Sequence, residues 1–362
     1  MLRFGVRLVP CQWPETPHSE TQHNFFPTLM EIFMFATLMD MLSKETPEQL
    51  DELFASARAA RQAVFGDCVY LYGFIYFSTM CGNDCNFCYY RKSNEIERYR
   101  KEAGEVVFLA QKFANSGVNL IDLTMGEDPE YHKTDFAAVL DIVRKIKRTT
   151  GLPIMLSPGV VPRSVIDKAA DMGVNWFALY QETHNRALFG KLRTGQDFDT
   201  RMGLKKYAMQ KGICVEDGIL TGVGESVSDI ADSITEMAGL GARQMRVMSF
   251  VPQKGSPMQD MPPPDFLLEL KTIAAMRLAY PGALIPASLD VDGISGLKAR
   301  LNAGANVVTS IITPDTGLSG VAQAHKDISE GGRTAAQVLP ILKELGLRAG
   351  RTEEYISWLE SQ

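Results

Sequence analysis

Three cysteines stand within eight positions in STMCGNDCNFCYYRK (78–92): Cys81, Cys85 and Cys88. Thiolates at such spacing are metal ligands or redox groups, and three chemistries are open to them. A structural zinc site closes a tetrahedron with four ligands, usually two Cys/His pairs, and no second pair lies nearby. A thiol–disulfide pair at Cys85 and Cys88 leaves Cys81 without a role. A four-iron, four-sulfur (4Fe-4S) cluster on three thiolates leaves one iron open to a ligand that is not protein. The remaining cysteines, Cys11, Cys68 and Cys214, lie far apart in the chain.

A second set of polar residues sits where apolar side chains are expected. Asp122 interrupts VNLIDLTMG and shares a strand face with Thr124 by the period of two. Arg246 lies inside RQMRVMSFV, and Ser288 and Asp290 stand two apart at the end of ALIPASLD. Charges in such runs are paired or functional. They make either an internal salt-bridge network of Asp122, Arg246 and Asp290, or a pocket for a small zwitterion. In the pocket, Arg246 takes a carboxylate and the two aspartates take two ammonium groups, as a diamino acid requires. No His–carboxylate pair lies near a strand end, and His184 reads as a surface residue.

These residues need a scaffold, and the chain supplies a repeating one. Eight apolar runs read as buried strands: 68–77, 118–126, 152–158, 174–183, 213–222, 243–251, 283–290 and 305–312. Helical segments such as GEVVFLAQKFANSG separate them, several ending in Gly before the next strand. Eight such units predict a (β/α)₈ TIM-type barrel rather than an open doubly wound sheet, since no Gly-rich dinucleotide fingerprint follows the first strand. Chemistry then belongs at the C-terminal strand ends, and the cysteine triplet begins just past the first. The expected division is an N-terminal arm and helices over 1–66, the barrel over 67–350 and a C-terminal tail over 351–362. Thr46-Pro47 reads as a helix cap. FFPTLMEIFMFATLMDML (25–42), interrupted by Glu31 and Asp40, reads as a buried amphipathic helix rather than a membrane span.

The net charge of −6 provides no basic field for nucleic acid. Hydrophobic content of 45% and charged content of 22% are ordinary for a soluble enzyme. Clustered cysteines suit a reducing cytoplasm. Residues 1–25 show neither strand nor helix period and no small-residue cleavage site, so no signal peptide or membrane attachment is expected.

The spacing C-x₃-C-x-aromatic-C, with Phe87 as the aromatic, resembles that of the radical S-adenosylmethionine enzymes. Further segments, among them LIDLTMGEDP, ALYQET, CVEDGILTGVG, LIPASLD and RLNAGANVVTSI, resemble its biotin-synthase-like, lysine-rearranging branch from about residue 45 onward. The resemblance implies one 4Fe-4S cluster on Cys81, Cys85 and Cys88, whose open iron chelates S-adenosyl-L-methionine. Cleavage of that cofactor to a 5′-deoxyadenosyl radical implies an external electron donor such as flavodoxin or ferredoxin. Met125, Gly126 and Glu127 match the segment that meets the cofactor's amino group, and Ser157 is counted with this set. Glu182 matches a carboxylate that holds the cofactor, while Arg193 and Arg201 anchor the cofactor carboxylate or brace Glu182. Asp122, Arg246, Ser288 and Asp290 match the amino-acid-binding positions. The implied reaction isomerises L-lysine to (3R)-3-methyl-D-ornithine, the first step towards pyrrolysine, with no catalytic residue beyond the cofactor radical. The alternative is another biotin-synthase-like or hydrogenase-maturation-like enzyme acting on a different small amino acid; sulfur insertion would need a second cluster.

Overall fold

The eight apolar runs pair side by side because each is covered on both faces and must satisfy its backbone within the sheet. In the computed structural model, which describes residues 29–313, 317–318, 320 and 333–362, they form β1 Cys68–Ser78, β2 Leu120–Met125, β3 Ile154–Ser157, β4 Trp176–Ala178, β5 Cys214–Thr221, β6 Gln244–Ser249, β7 Pro286–Ser288 and β8 Val307–Ile311. All pair in parallel in the order β6-β5-β4-β3-β2-β1-β8-β7. Met245 N to Leu284 O and Leu284 N to Arg243 O, both 3.0 Å, bring β6 against the run leading into β7 and nearly close the ring. The expected barrel is therefore the observed one. Of the expected arm and helices over 1–66, residues 1–28, with Cys11, lie outside the described residues.

Local chemistry places the helices as read. Thr46 caps the helix Pro47–Phe65 in a capping box with Gln49, and Pro47 opens its first turn. Gly117 and Gly173 adopt φ of 82° and 69° between a helix and the next strand, which a side chain would disfavour.

Two features differ from the sequence reading or extend it. The helix Leu29–Leu42 was expected to be buried, yet among its described side chains only Leu38 and Leu42 are, whereas Met30, Ile32 and Phe33 are exposed. It lies outside the barrel against the helices Val227–Leu240 and Phe266–Ala279, so one face alone is covered. At the other end of the chain a short strand, β9 Arg348–Ala349, extends pairing at the start of β1. The helix Thr352–Glu360 then closes the barrel floor. Its buried Tyr355 hydroxyl meets that of Tyr72 at 2.6 Å, and Trp358 stacks on Trp176. Among the described residues no helix is long and apolar enough to cross a membrane.

Candidate active site

Beyond Ser78 the chain loops over the top of the barrel, and one side chain gathers that loop. Arg98 donates from Nη1 to the carbonyls of Thr79 and Tyr90 at 2.6 and 2.9 Å, and from Nη2 to those of Arg91 and Asn94 at 2.6 and 3.2 Å. Asn86 fastens the loop to the helix Arg186–Leu192 through Leu192 O at 2.8 Å and Lys191 O at 2.7 Å. Cys81, Cys85 and Cys88 then line one wall of a single cavity. Burial raises the Cys81 and Cys88 thiols, and the neighbouring cysteines raise them further. Thiols so placed become thiolates only beside a cationic centre. Among the described residues no three His, Cys, Asp or Glu converge tightly enough for a single metal ion. A wall of three separated thiols fits a multi-iron cluster instead. Cys68 and Cys214 begin β1 and β5, at the end of the barrel opposite the triplet.

The cavity opens to solvent, and its walls reach from the three thiols to Arg246 and Asp290. Near the thiols it is lined by Phe87, Met125, Gly126, Glu127, Ser157, Glu182, Arg193 and Arg201. A Cβ on Gly126 would lie 2.3 Å from Met80 O, so the cysteine loop packs directly on the end of β2. Arg193 Nη2 donates to Glu182 Oε1 at 2.5 Å, its guanidinium lies over the Phe87 ring, and its Nη1 approaches Cys85 Sγ at 3.8 Å. Arg201 does not brace Glu182. It donates to Tyr180 O at 2.6 Å and pairs with Glu127 at 3.3 Å. Burial first, and then Arg193, lower its guanidinium to about 10. Buried Nε atoms of both arginines lack a partner among the described residues, so the wall keeps donor capacity for a bound group.

Glu182 has φ 67°, rare outside glycine. The surroundings impose it, because Glu182 N donates to Gly218 O and its carbonyl accepts from Leu220 N, prolonging the β5 ladder past β4. Asp217 supports the same turn by accepting from Gln181 N at 2.9 Å and pairing with Lys205. His184, expected at the surface, is buried instead, with Nε2 3.3 Å from Asp217 Oδ2 and its backbone N–H on Ser233. A charged partner hidden on the neighbouring strand draws it in.

Deeper in the barrel, where Arg246 and Asp290 reach the cavity wall, the second polar set meets partners that the sequence does not mark as such. Arg246 does not join Asp122 and Asp290 in one network. Its Nε donates to Glu216 Oε1 at 2.8 Å, its Nη1 to Thr309 at 3.0 Å, and it lies between the rings of Phe74 and Tyr180. Nη2 has no partner among the described residues. Burial opposes its charge, but Glu216 and Tyr180 raise its pKa overall. Asp122 Oδ1 accepts from Thr124 at 2.9 Å and from Ser157 at 2.8 Å, which ties Ser157 to this side as well. Asp122 Oδ2 is unpartnered among the described residues, and burial, then Glu216, push the carboxyl up to about 7. Asp290, read as waiting for an ammonium, already accepts from Tyr76 at 2.8 Å, Ser310 at 3.0 Å and Arg333 at 2.7 Å. Ser288 stands behind Asp290 and accepts from its N–H at 3.3 Å. Glu216 was visible as a charge in the apolar run CVEDGIL. Arg333 comes from outside every strand run and carries no such signal.

The Radical SAM superfamily profile matches residues 75–237. The chain is 44% identical over 318 residues to a 3-methylornithine synthase of Methanosarcina barkeri, covering 88% of this chain and 91% of that protein. It is 31% identical to the [FeFe] hydrogenase maturase subunit HydE of Thermotoga maritima, over 73% of this chain and 76% of that one. The crystal structure of a methylornithine synthase (PylB) superposes with a TM-score of 0.86 at 43% identity, covering 90% of this chain and 96% of that one. Radical SAM enzymes use S-adenosylmethionine with a 4Fe-4S cluster, which the three-thiol wall and its cavity fit. By the cysteine loop, the barrel around it and these likenesses, the chain belongs to the 3-methylornithine synthase family of radical S-adenosylmethionine enzymes.

Proposed function

We propose that the protein isomerises L-lysine to (3R)-3-methyl-D-ornithine in the cytoplasm and takes its electron from a flavodoxin- or ferredoxin-type donor. One observation carries the reading: a single cavity joins three thiols to Arg246, whose Nη2 is unpartnered among the described residues, and to Thr124 and Ser157, which both donate to the buried Asp122 carboxylate behind them. A small molecule with one carboxylate and two ammonium groups answers that arrangement.

When bound, the cluster and S-adenosylmethionine supply the hydrogen-abstracting radical chemistry. The chain's own residues bind, orient and exclude water. Cys81, Cys85 and Cys88 are the thiolate ligands. Glu182 held by Arg193, and Glu127 held by Arg201, form the cofactor wall with Phe87, Met125, Gly126 and Ser157. Arg246 receives the substrate carboxylate through its unpartnered Nη2, and Asp122 receives an ammonium. Asp290, set by Tyr76, Ser310 and Arg333 with Ser288 behind it, turns its negative charge towards the second ammonium. Fixing both ends of the substrate selects which carbon faces the cofactor, and no side-chain base is required.

The test is anaerobic incubation of cluster-loaded protein with lysine, cofactor and reductant, read by mass spectrometry. Methylornithine is expected. Unconsumed lysine, with cofactor cleaved only when another amino acid is present, would overturn the reading.

A further inference from the structure

Glu216 lies on the inner face of β5, fully buried. Both of its oxygens are committed: Oε1 accepts from Arg246 Nε at 2.8 Å and Oε2 from the Tyr180 hydroxyl at 2.9 Å. It therefore acts on a ligand only through those neighbours and through its charge. With Nε on Glu216 and Nη1 on Thr309 at 3.0 Å, the Arg246 guanidinium is locked between Phe74 and Tyr180 with Nη2 left to meet a carboxylate. A planar guanidinium held at two of its three nitrogens presents the third in a set direction.

The charge balance divides the barrel interior in two. On the cofactor side Glu127 and Glu182 are matched by Arg201 and Arg193. On the amino-acid side Asp122 in the carboxylate form that an ammonium requires, with Glu216 and Asp290, faces Arg246 and Arg333, leaving one formal negative charge in excess. Without Glu216 that side would be neutral, and would suit an ordinary neutral amino acid.

We infer that Glu216 is the specificity-determining residue of the amino-acid pocket: it aims Arg246 and supplies the excess negative charge that selects a diamino acid of net charge +1 over neutral amino acids. The inference rests on the amino-acid reading proposed above. Inside a low-dielectric cavity an unmatched charge weighs far more than a lost neutral hydrogen bond, so net charge alone discriminates. The same carboxylate acts on Asp122, which meets Thr124 on its own strand, Ser157 from β3, Tyr180 beyond β4, Glu216 from β5 and Arg246 from β6. After burial, Glu216 is the strongest influence holding a proton on that group.

The experiment compares parent, Glu216→Gln and Glu216→Asp, all loaded with cluster and S-adenosylmethionine. Iron content and cluster absorption serve as controls, and lysine and norleucine binding are measured by equilibrium dialysis between pH 5.5 and 8. Glu216→Gln is expected to weaken lysine roughly tenfold or more, to leave norleucine unchanged or tighter, and to move the acid limb of lysine binding to lower pH. Glu216→Asp keeps the charge and should keep the preference for lysine even where affinity falls. A Gln variant with the parent's lysine-to-norleucine ratio and acid limb would overturn the inference while leaving lysine as the substrate. Should the Gln variant lose its iron, collapse of the ratio in the Asp variant would equally overturn it. A parent that binds lysine no better than norleucine sinks the substrate reading itself.

Discussion

Arg193 holds Glu182 and Cys85 at once, donating to the carboxylate oxygen at 2.5 Å and placing its other terminal nitrogen 3.8 Å from the thiol sulfur. One guanidinium thus couples the end of β4 to the cysteine loop. Arg193→Ala strips a buried carboxylate of its counterion, a change that costs several kcal/mol when uncompensated. Affinity for S-adenosylmethionine should fall at least ~30-fold, with the iron content retained. Arg193→Lys should recover little, because a point charge cannot reach both partners. Cofactor affinity equal to the parent's in equilibrium dialysis would show that the arginine serves only the fold.

The triplet makes a sharper demand. Anaerobically reconstituted protein should hold about four irons per chain, and replacing any one of Cys81, Cys85 or Cys88 by Ala should abolish the cluster absorption. Cys68→Ala and Cys214→Ala should bind iron as the parent does, because those residues stand at the opposite end of the barrel. Iron loss on either change would point to a second cluster.

Gly126 is tested by adding one carbon. Its Cβ would sit 2.3 Å from Met80 O, a backbone atom one residue before the first cysteine, so the loop and not a side-chain tip must move. Gly126→Ala should therefore lower iron occupancy and broaden the cluster's electron paramagnetic resonance signal, while leaving the far-ultraviolet circular dichroism unchanged. Full occupancy with parent-like spectra would show that the loop adjusts freely.

Asp122 fixes a pH dependence. In the substrate-free fold its carboxyl is raised to about 7, above the ordinary value near 4, by burial and then by Glu216. A raised carboxyl contributes stability below its unfolded pKa and loses that contribution as pH rises through about 7. An incoming ammonium needs the carboxylate form, so lysine binding should weaken as pH falls below about 7, approaching ~tenfold per unit. Lysine's own groups do not titrate between pH 5.5 and 8, which leaves the protein as the source. Asp122→Asn should flatten that limb and weaken binding at pH 8; a limb that survives the substitution belongs to another group.

Much of this protein was legible from residue types alone. Three thiols with no fourth ligand already pointed away from zinc, because ligand number is a property of spacing. The barrel was legible because each strand must be apolar on both faces and each helix must end before the next strand, and both demands leave periodic marks. Isolated charges in those strands marked the cavity for the same reason: Asp122 and Arg246 stand out where burial is costly.

The partners of those charges were decided only by the closed barrel. Arg246 meets Glu216 across the β5–β6 ladder, where Gly218 pairs with Arg246, and meets Thr309 of β8 across the barrel interior. Which charge faces which depends on the register and stagger of the strands, and neither leaves a mark in the order of residues. Arg333 reaches Asp290 from a segment with no strand pattern, and His184 is buried because Asp217 waits on the adjacent strand. Sequence by itself determined that charges would be buried here and that three thiols would share a loop. Electrostatic pairing acts through space over a few ångströms, so only the tertiary structure could decide which of those charges cancel and which remain open to a ligand.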